Sequence, residues 1–164
     1  MSEVELNRLC AEINELAERI GATGPACGEA VGVGYGLSLC SARKEYVLSY
    51  AERGVPDVVL QSFDGAAIKE RYFNEVTSSM AAVEVAGRYP PVGPWSPFLD
   101  WLIQPSSIKW QREYQIVQEA LLGRLDSGWK ERTAIQNALR LRETIDTIYR
   151  VRGRSIGESQ DEPK

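Results

Sequence analysis

Cys40 is followed by Ser41, Ala42, Arg43 and Lys44. Cations this close lower the pKa of a thiol, so nucleophilic chemistry could sit here. A buried, inert cysteine at a strand end explains the same residues more simply. The other reactive candidates are carboxylates. Glu70 and Glu75 stand five apart in a helical stretch, a spacing that does not stack them, and no metal-ligand pattern flanks either. Glu84 and Arg88 are four apart and are expected to pair along a helix surface. Histidine is absent. That excludes Ser-His-Asp and Cys-His triads, histidine-ligated zinc or haem, and imidazole acid–base catalysis. No motif specifies a reaction, so the chain is read as a non-enzyme with no catalytic residue, no metal and no cofactor.

The glycine run at 24–36, GPACGEAVGVGYG, invites a phosphate-binding reading. The dinucleotide fingerprint needs G-x-G-x-x-G between a strand and a helix. Here Gly32, Gly34 and Gly36 alternate, and Leu37-Ser38-Leu39 continues without helical spacing. The run is read as a loop entering a strand. Cysteine falls at 10, 27 and 40, an odd count without C-x-x-C, which predicts neither a disulfide framework nor a zinc ribbon. Free thiols in a reducing cytosol are expected.

The 164 residues favour one domain, and 43% hydrophobic with 26% charged residues matches a folded globular chain. Nineteen Lys and Arg against 23 Asp and Glu give a formal charge of −4, which argues against generic wrapping of nucleic acid. The start, MSEVELNRLCAEINEL, lacks a signal peptide's basic and apolar regions, and no run nears the ~18 apolar residues of a membrane span. A cytoplasmic protein with no membrane partner is expected.

Leu6, Leu9, Ile13, Leu16 and Ile20 recur at three and four, predicting a helix that Ser2 caps and Gly21 ends. Residues 45–50 and 58–63 read as strands around a turn at 52–57, pairing with 31–39 in a small antiparallel sheet. Asp64 caps a second helix whose inward stripe is Ile68, Tyr72, Val76, Met80 and Val83, with Phe73 and Ala81 beside it. Residues 88–106 hold five of eight prolines and two of four tryptophans, an ordered segment anchored by aromatics. A third helix follows, with Ile108, Gln111, Tyr114, Gln115, Gln118, Leu121, Leu122 and Leu125 inward. Asp126-Ser127-Gly128 breaks it. The last helix, about 129–150, is expected to turn Ile135, Leu139, Ile145, Ile148 and Tyr149 inward. The predicted fold is α+β: an N-terminal helix, a small antiparallel sheet, then three further helices packed on it. The domain covers 1–152 and a disordered tail covers 153–164.

Several short motifs occur in a fixed order. Tyr46 leads to Glu52-Arg53-Gly54; Val76-Thr77-x-x-Met80-Ala81 is followed by Glu84 and Arg88; Trp110-x-x-x-Tyr114 leads to Gln118-x-x-Leu121-Leu122, Leu125 and Trp129-x-x-Arg132. In this order and spacing, residues 44–132 resemble the immunity protein 63 family of bacterial polymorphic toxin systems. The chain departs from that pattern at 89–106, where a Pro/Trp-rich insertion replaces the family's acid–arginine cluster. The resemblance implies a cytoplasmic protein that neutralises a cognate toxin domain, such as a nuclease, by stoichiometric binding. It implies no catalysis. Partner contacts tend to fall on loops, Trp and Arg are favoured as anchors, and carboxylates would pair with a basic toxin site. The candidate partner-binding residues are therefore Glu52, Arg53 and Asp57 at the turn, with Trp95 and Asp100 on the insertion. The alternative is a non-catalytic adaptor or secretion-chaperone-like module.

Overall fold

A capping box fixes the start of the first helix, α1 (Glu3–Arg19). Ser2 Oγ accepts from the Glu5 N–H at 3.3 Å, and the Glu5 carboxylate accepts from the Ser2 N–H at 2.6 Å. That backbone donor holds the Glu5 carboxyl below its ordinary range. Gly21, at φ 73°, ends the helix. The predicted stripe is buried at Leu6, Leu9, Ile13 and Ile20, joined by Cys10 and Ala17. These are the first residues of a computed structural model that describes residues 2–30, 32–88 and 106–158.

Four strands follow: β1 (Ala26–Cys27), β2 (Gly34–Cys40), β3 (Glu45–Glu52) and β4 (Val55–Ser62), in spatial order β1-β2-β3-β4. The two hairpins are antiparallel as expected. The sheet is nevertheless mixed, because β1 pairs parallel to β2 from within the run read as a loop. Two residues are too few to show a strand periodicity. The glycine alternation has a packing cause. A Cβ on Gly36 would sit 2.3 Å from the Ala30 nitrogen, so only glycine lets the backbone of Glu29 and Ala30 lie over that sheet face. The Gly54 N–H donates to the Gly32 carbonyl at 3.0 Å and ties the loop to the β3–β4 turn.

The other sheet face carries Leu37, Tyr46 and Leu48, buried against α1 and the second helix, α2 (Gly65–Arg88). Asp64 caps α2, its Oδ1 accepting from the Ala66 N–H at 2.8 Å. The buried face of α2 is Ile68, Tyr72, Phe73, Thr77, Ala81 and Val85, one residue round from the predicted stripe. Val83 is exposed, and Val76 and Met80 are half-buried. Thr77 tolerates burial because its hydroxyl donates to the Phe73 carbonyl at 2.6 Å. An aromatic chain crosses the core: Tyr50, Tyr35, Tyr72, Phe73 and Trp129, with successive centroids 4.9, 5.3, 5.0 and 5.6 Å apart.

Helix α3 (Ser106–Gly123) packs on α2, and α4 (Ser127–Glu158) packs on α3. Asp126 caps α4, accepting from the Trp129 N–H at 2.9 Å. The predicted inward face of α3 holds: Ile108, Gln115, Gln118, Leu121 and Leu122 are buried. The predicted face of α4 holds only at Ile145 and Ile148, which are half-buried. Ile135, Leu139 and Tyr149 are exposed, while Thr133 and Asn137 are buried. The seam of α4 with α2 and α3 is polar, and it selects the residues that can hydrogen-bond. Gln115 donates to the Asn137 carbonyl at 2.8 Å, Thr133 donates to Asn74 Oδ1 at 2.9 Å, and Asn137 donates to Gln118 Oε1 at 3.4 Å. Among the described residues no buried side-chain polar atom lacks a partner.

The cysteines also correct the sequence expectation of three free thiols. Cys10 and Cys27 are joined as a disulfide, with Cα atoms 6.1 Å apart, and Cys40 alone is free. The pairing is tertiary: it links α1 to β1, and residue spacing does not encode that approach.

Two outcomes follow. Gly36→Ala must displace backbone and is expected to lower unfolding free energy by about 2 kcal/mol or more in urea titration. The second concerns alkali. Burial, with Glu75 and Tyr50 adding to it, pushes Tyr35 up to about 12, and burial raises Tyr72 as well. Their unfolded value is about 10, so the folded state holds protons that the unfolded state releases. This contribution is complete below pH 10 and is lost between pH 10 and 12. Unfolding free energy should fall across that window, and less steeply in Tyr72→Phe; equal slopes would contradict this.

Candidate functional site

The tip of the β3–β4 hairpin is a two-residue turn. Glu52 pairs with Val55, and the residues between them, Arg53 and Gly54, have φ of 53° and 80°. Positive φ at both central positions marks the turn that matches strand twist, for which Asn-Gly is the usual choice. Gly54 meets this at no steric cost. Arg53 adopts left-handed backbone that costs an ordinary residue about 1 kcal/mol. A long cation is therefore held in solvent at the tip by a conformation its residue type disfavours.

The turn is shorter than the predicted 52–57, so Asp57 lies within β4, opposite Tyr50. Glu52, Arg53 and Asp57 are all exposed, and the hairpin brings them together as expected. Trp95 and Asp100 lie outside the described residues. Glu52, Tyr50, Val55 and Asp57 share the sheet face that carries Leu48, from the pleat and the cross-strand register.

Two residues that the sequence does not single out join the exposed set: Val55, read as part of the turn, and Val58, read as the start of the strand. Val55 is 67% exposed and Val58 is 59% exposed. Their exposure follows from position: β4 is an edge of the sheet, and among the described residues no strand pairs with its outer side. Pro56 carried the signal, since a proline without an N–H is confined to edge strands. On one face the arrangement sets Val55 beside the carboxylates of Glu52 and Asp57, with Arg53 at the turn; Val58, opposite Ser49, lies on the other face of the same edge strand. It can bury against a partner and offer its edge hydrogen-bonding groups.

The other sequence candidates are occupied elsewhere. Glu70 accepts both arms of the Arg132 guanidinium, at 2.7 and 2.9 Å, and that pairing raises the Arg132 pKa. Glu75 pairs with Arg71 at 2.6 Å, and Glu84 pairs with Arg88. Lys69, 3.0 Å from Glu12, holds that carboxyl below its ordinary range. Cys40 is half-buried at the end of β2, opposite Glu45. Among the described residues no three His, Cys, Asp or Glu side chains are placed to hold a metal. A groove of about 430 Å³ opens between α3 and α4, lined by Trp110, Tyr114, Asn137 and Arg140 among others. Its two rings stack at 5.3 Å.

Arg53→Asn is expected to raise the midpoint of thermal unfolding, and Gly54→Ala to lower stability by about 1 kcal/mol, because only the first relieves left-handed strain. Opposite signs in calorimetry support the turn geometry; a destabilising Arg53→Asn would contradict it. No helix among the described residues is long and apolar enough to cross a membrane. Comparison with family models, with curated proteins and with solved structures finds no match to this chain.

Proposed function

We propose that this chain is a cytoplasmic immunity protein that binds a cognate bacterial toxin domain and neutralises it stoichiometrically, without catalysis. The observation that carries the reading is the hairpin tip: Glu52, Val55 and Asp57 stand exposed on one face of the edge strand's hairpin, with Arg53 exposed at the turn. An exposed valine flanked by charge suits a desolvated contact with a polar rim. Two carboxylates on a chain of net charge −4 suit a basic partner, such as the nucleic-acid site of a nuclease. Trp95 and Asp100 complete the proposed contact set.

The other residues of the family resemblance have structural work. Trp129 stacks on Phe73 with centroids 5.6 Å apart, Tyr114 bonds Ser78 at 2.7 Å, and Arg132 clamps Glu70. Gln118 sits in the polar seam, while Leu121 and Leu122 are core. Glu52 and Arg53 are left projecting into solvent. This division fits a scaffold that presents a recognition edge.

The test is co-expression with the toxin domain encoded beside this chain's gene, scoring growth and co-purification. Rescue with a one-to-one complex is expected. Charge reversal by Glu52→Arg with Asp57→Arg should slow association about tenfold at low salt, with the difference shrinking as salt rises. Toxicity that persists without a complex would overturn the reading and favour the adaptor alternative.

A further inference from the structure

Helix α4 has two working sides, and only one is used within the chain. Thr133 faces Asn74 of α2 and Asn137 faces α3, and Leu141, Thr144 and Ile148 are half-buried further along. The opposite side carries Ile135, Leu139, Arg142, Asp146 and Tyr149, all exposed. Their spacing is four, three, four, three, the repeat of a helix that packs lengthwise on another helix. The apolar members are 65% exposed at Ile135, 58% at Leu139 and 60% at Tyr149. These are bulky side chains that a solvated face does not require. The helix is also long. Its 32 residues span about 48 Å, against about 27 Å for the 18 residues of α3.

We infer that this stripe pairs with the same stripe of a second copy of the chain, antiparallel, centred on Thr144. The order of charges selects this occupant and this direction. In an antiparallel pair centred there, Arg142 of each copy meets Asp146 of the other, and Leu139 of each meets Tyr149. Two apolar layers enclose two ionic layers. A parallel pair would stack Arg142 on Arg142 and Asp146 on Asp146, which like charges disfavour. Neither Arg142 nor Asp146 has an ion-pair partner among the described residues. Within one helix, a base four residues before an acid is the weaker order, so the two serve better across helices. The seam is short, about two heptads, and falls below a standard interface in area, so the dimer is weak and forms with rising concentration. The inference is independent of the toxin-binding proposal and uses none of its residues.

Sedimentation equilibrium of the full chain between 5 and 300 µM tests it. The expected result is a monomer–dimer equilibrium within that range. Arg142→Asp alone and Asp146→Arg alone each place like charges in both ionic layers and should weaken association at least tenfold. The double swap, Arg142→Asp with Asp146→Arg, should restore it. All these side chains are exposed, and circular dichroism melts check that each variant folds. Direction is read in a Cys40→Ser background with cysteines at 139 and 149. Leu139→Cys mixed with Tyr149→Cys should cross-link, while Leu139→Cys alone should not. A monomer at every concentration, a dimer indifferent to the single reversals, a double swap that fails to restore association, or cross-linking of Leu139→Cys with itself would each overturn the proposal.

Discussion

Tyr72 is the residue on which the assembly turns. It is fully buried in α2, and its hydroxyl donates to the Thr23 carbonyl at 2.5 Å, in the segment that follows α1. Its ring meets Tyr35 of β2 edge-on, and its neighbour Phe73 stacks on Trp129 of α4. One turn of α2 therefore joins the sheet, the end of the first helix and the last helix. A buried aromatic with a satisfied hydroxyl combines large apolar burial with a directional bond, and edge-to-face neighbours fix its orientation. The β3–β4 hairpin inherits this placement through the Tyr35–Tyr50 contact, so the exposed tip projects from an ordered base.

The two halves of the molecule are held by different physics. Between the sheet and helices α1 and α2 the seam is apolar and close-packed. Between α2, α3 and α4 it contains Asn74, Gln115, Gln118, Thr133 and Asn137 in hydrogen-bonded contact. Polar layers of this kind contribute little net stability but penalise misalignment, because a shifted helix would leave buried amides unpaired. This seam sets the rotation of α4, and that rotation leaves Ile135, Leu139 and Tyr149 on the outside.

Much of this fold was legible where the determinants are local. The three-four spacing from Leu6 to Ile20 identifies a buried helix face, and Ser2 and Asp64 mark helix starts through bonds to residues two or three ahead. Charged and turn-forming residues at 52–57 place a hairpin whose exposed Glu52 and Arg53 were foreseen. The misses are where the determinant is tertiary. The apolar spacing on α4 points Ile135 and Leu139 inward, whereas the partner surface on α2 and α3 is polar and selects Thr133 and Asn137. The three-four spacing points Val83 inward, whereas the buried face of α2 runs through Thr77, Ala81 and Val85. The Cys10–Cys27 pair needs the approach of β1 to α1, which no spacing states. At the candidate site, the exposure of Val55 and Val58 depends on β4 being an edge, and Pro56 was the one residue that said so.

The central claim is that the hairpin tip is a recognition surface presented by a fixed scaffold. Amide hydrogen exchange of the chain, with and without the toxin domain encoded beside it, tests this most directly. New protection is expected at the amides of residues 52–55, 57 and 58, with little change in the α3–α4 seam. Unchanged exchange at 52–58, with protection appearing in the groove around Trp110 and Arg140, would contradict it.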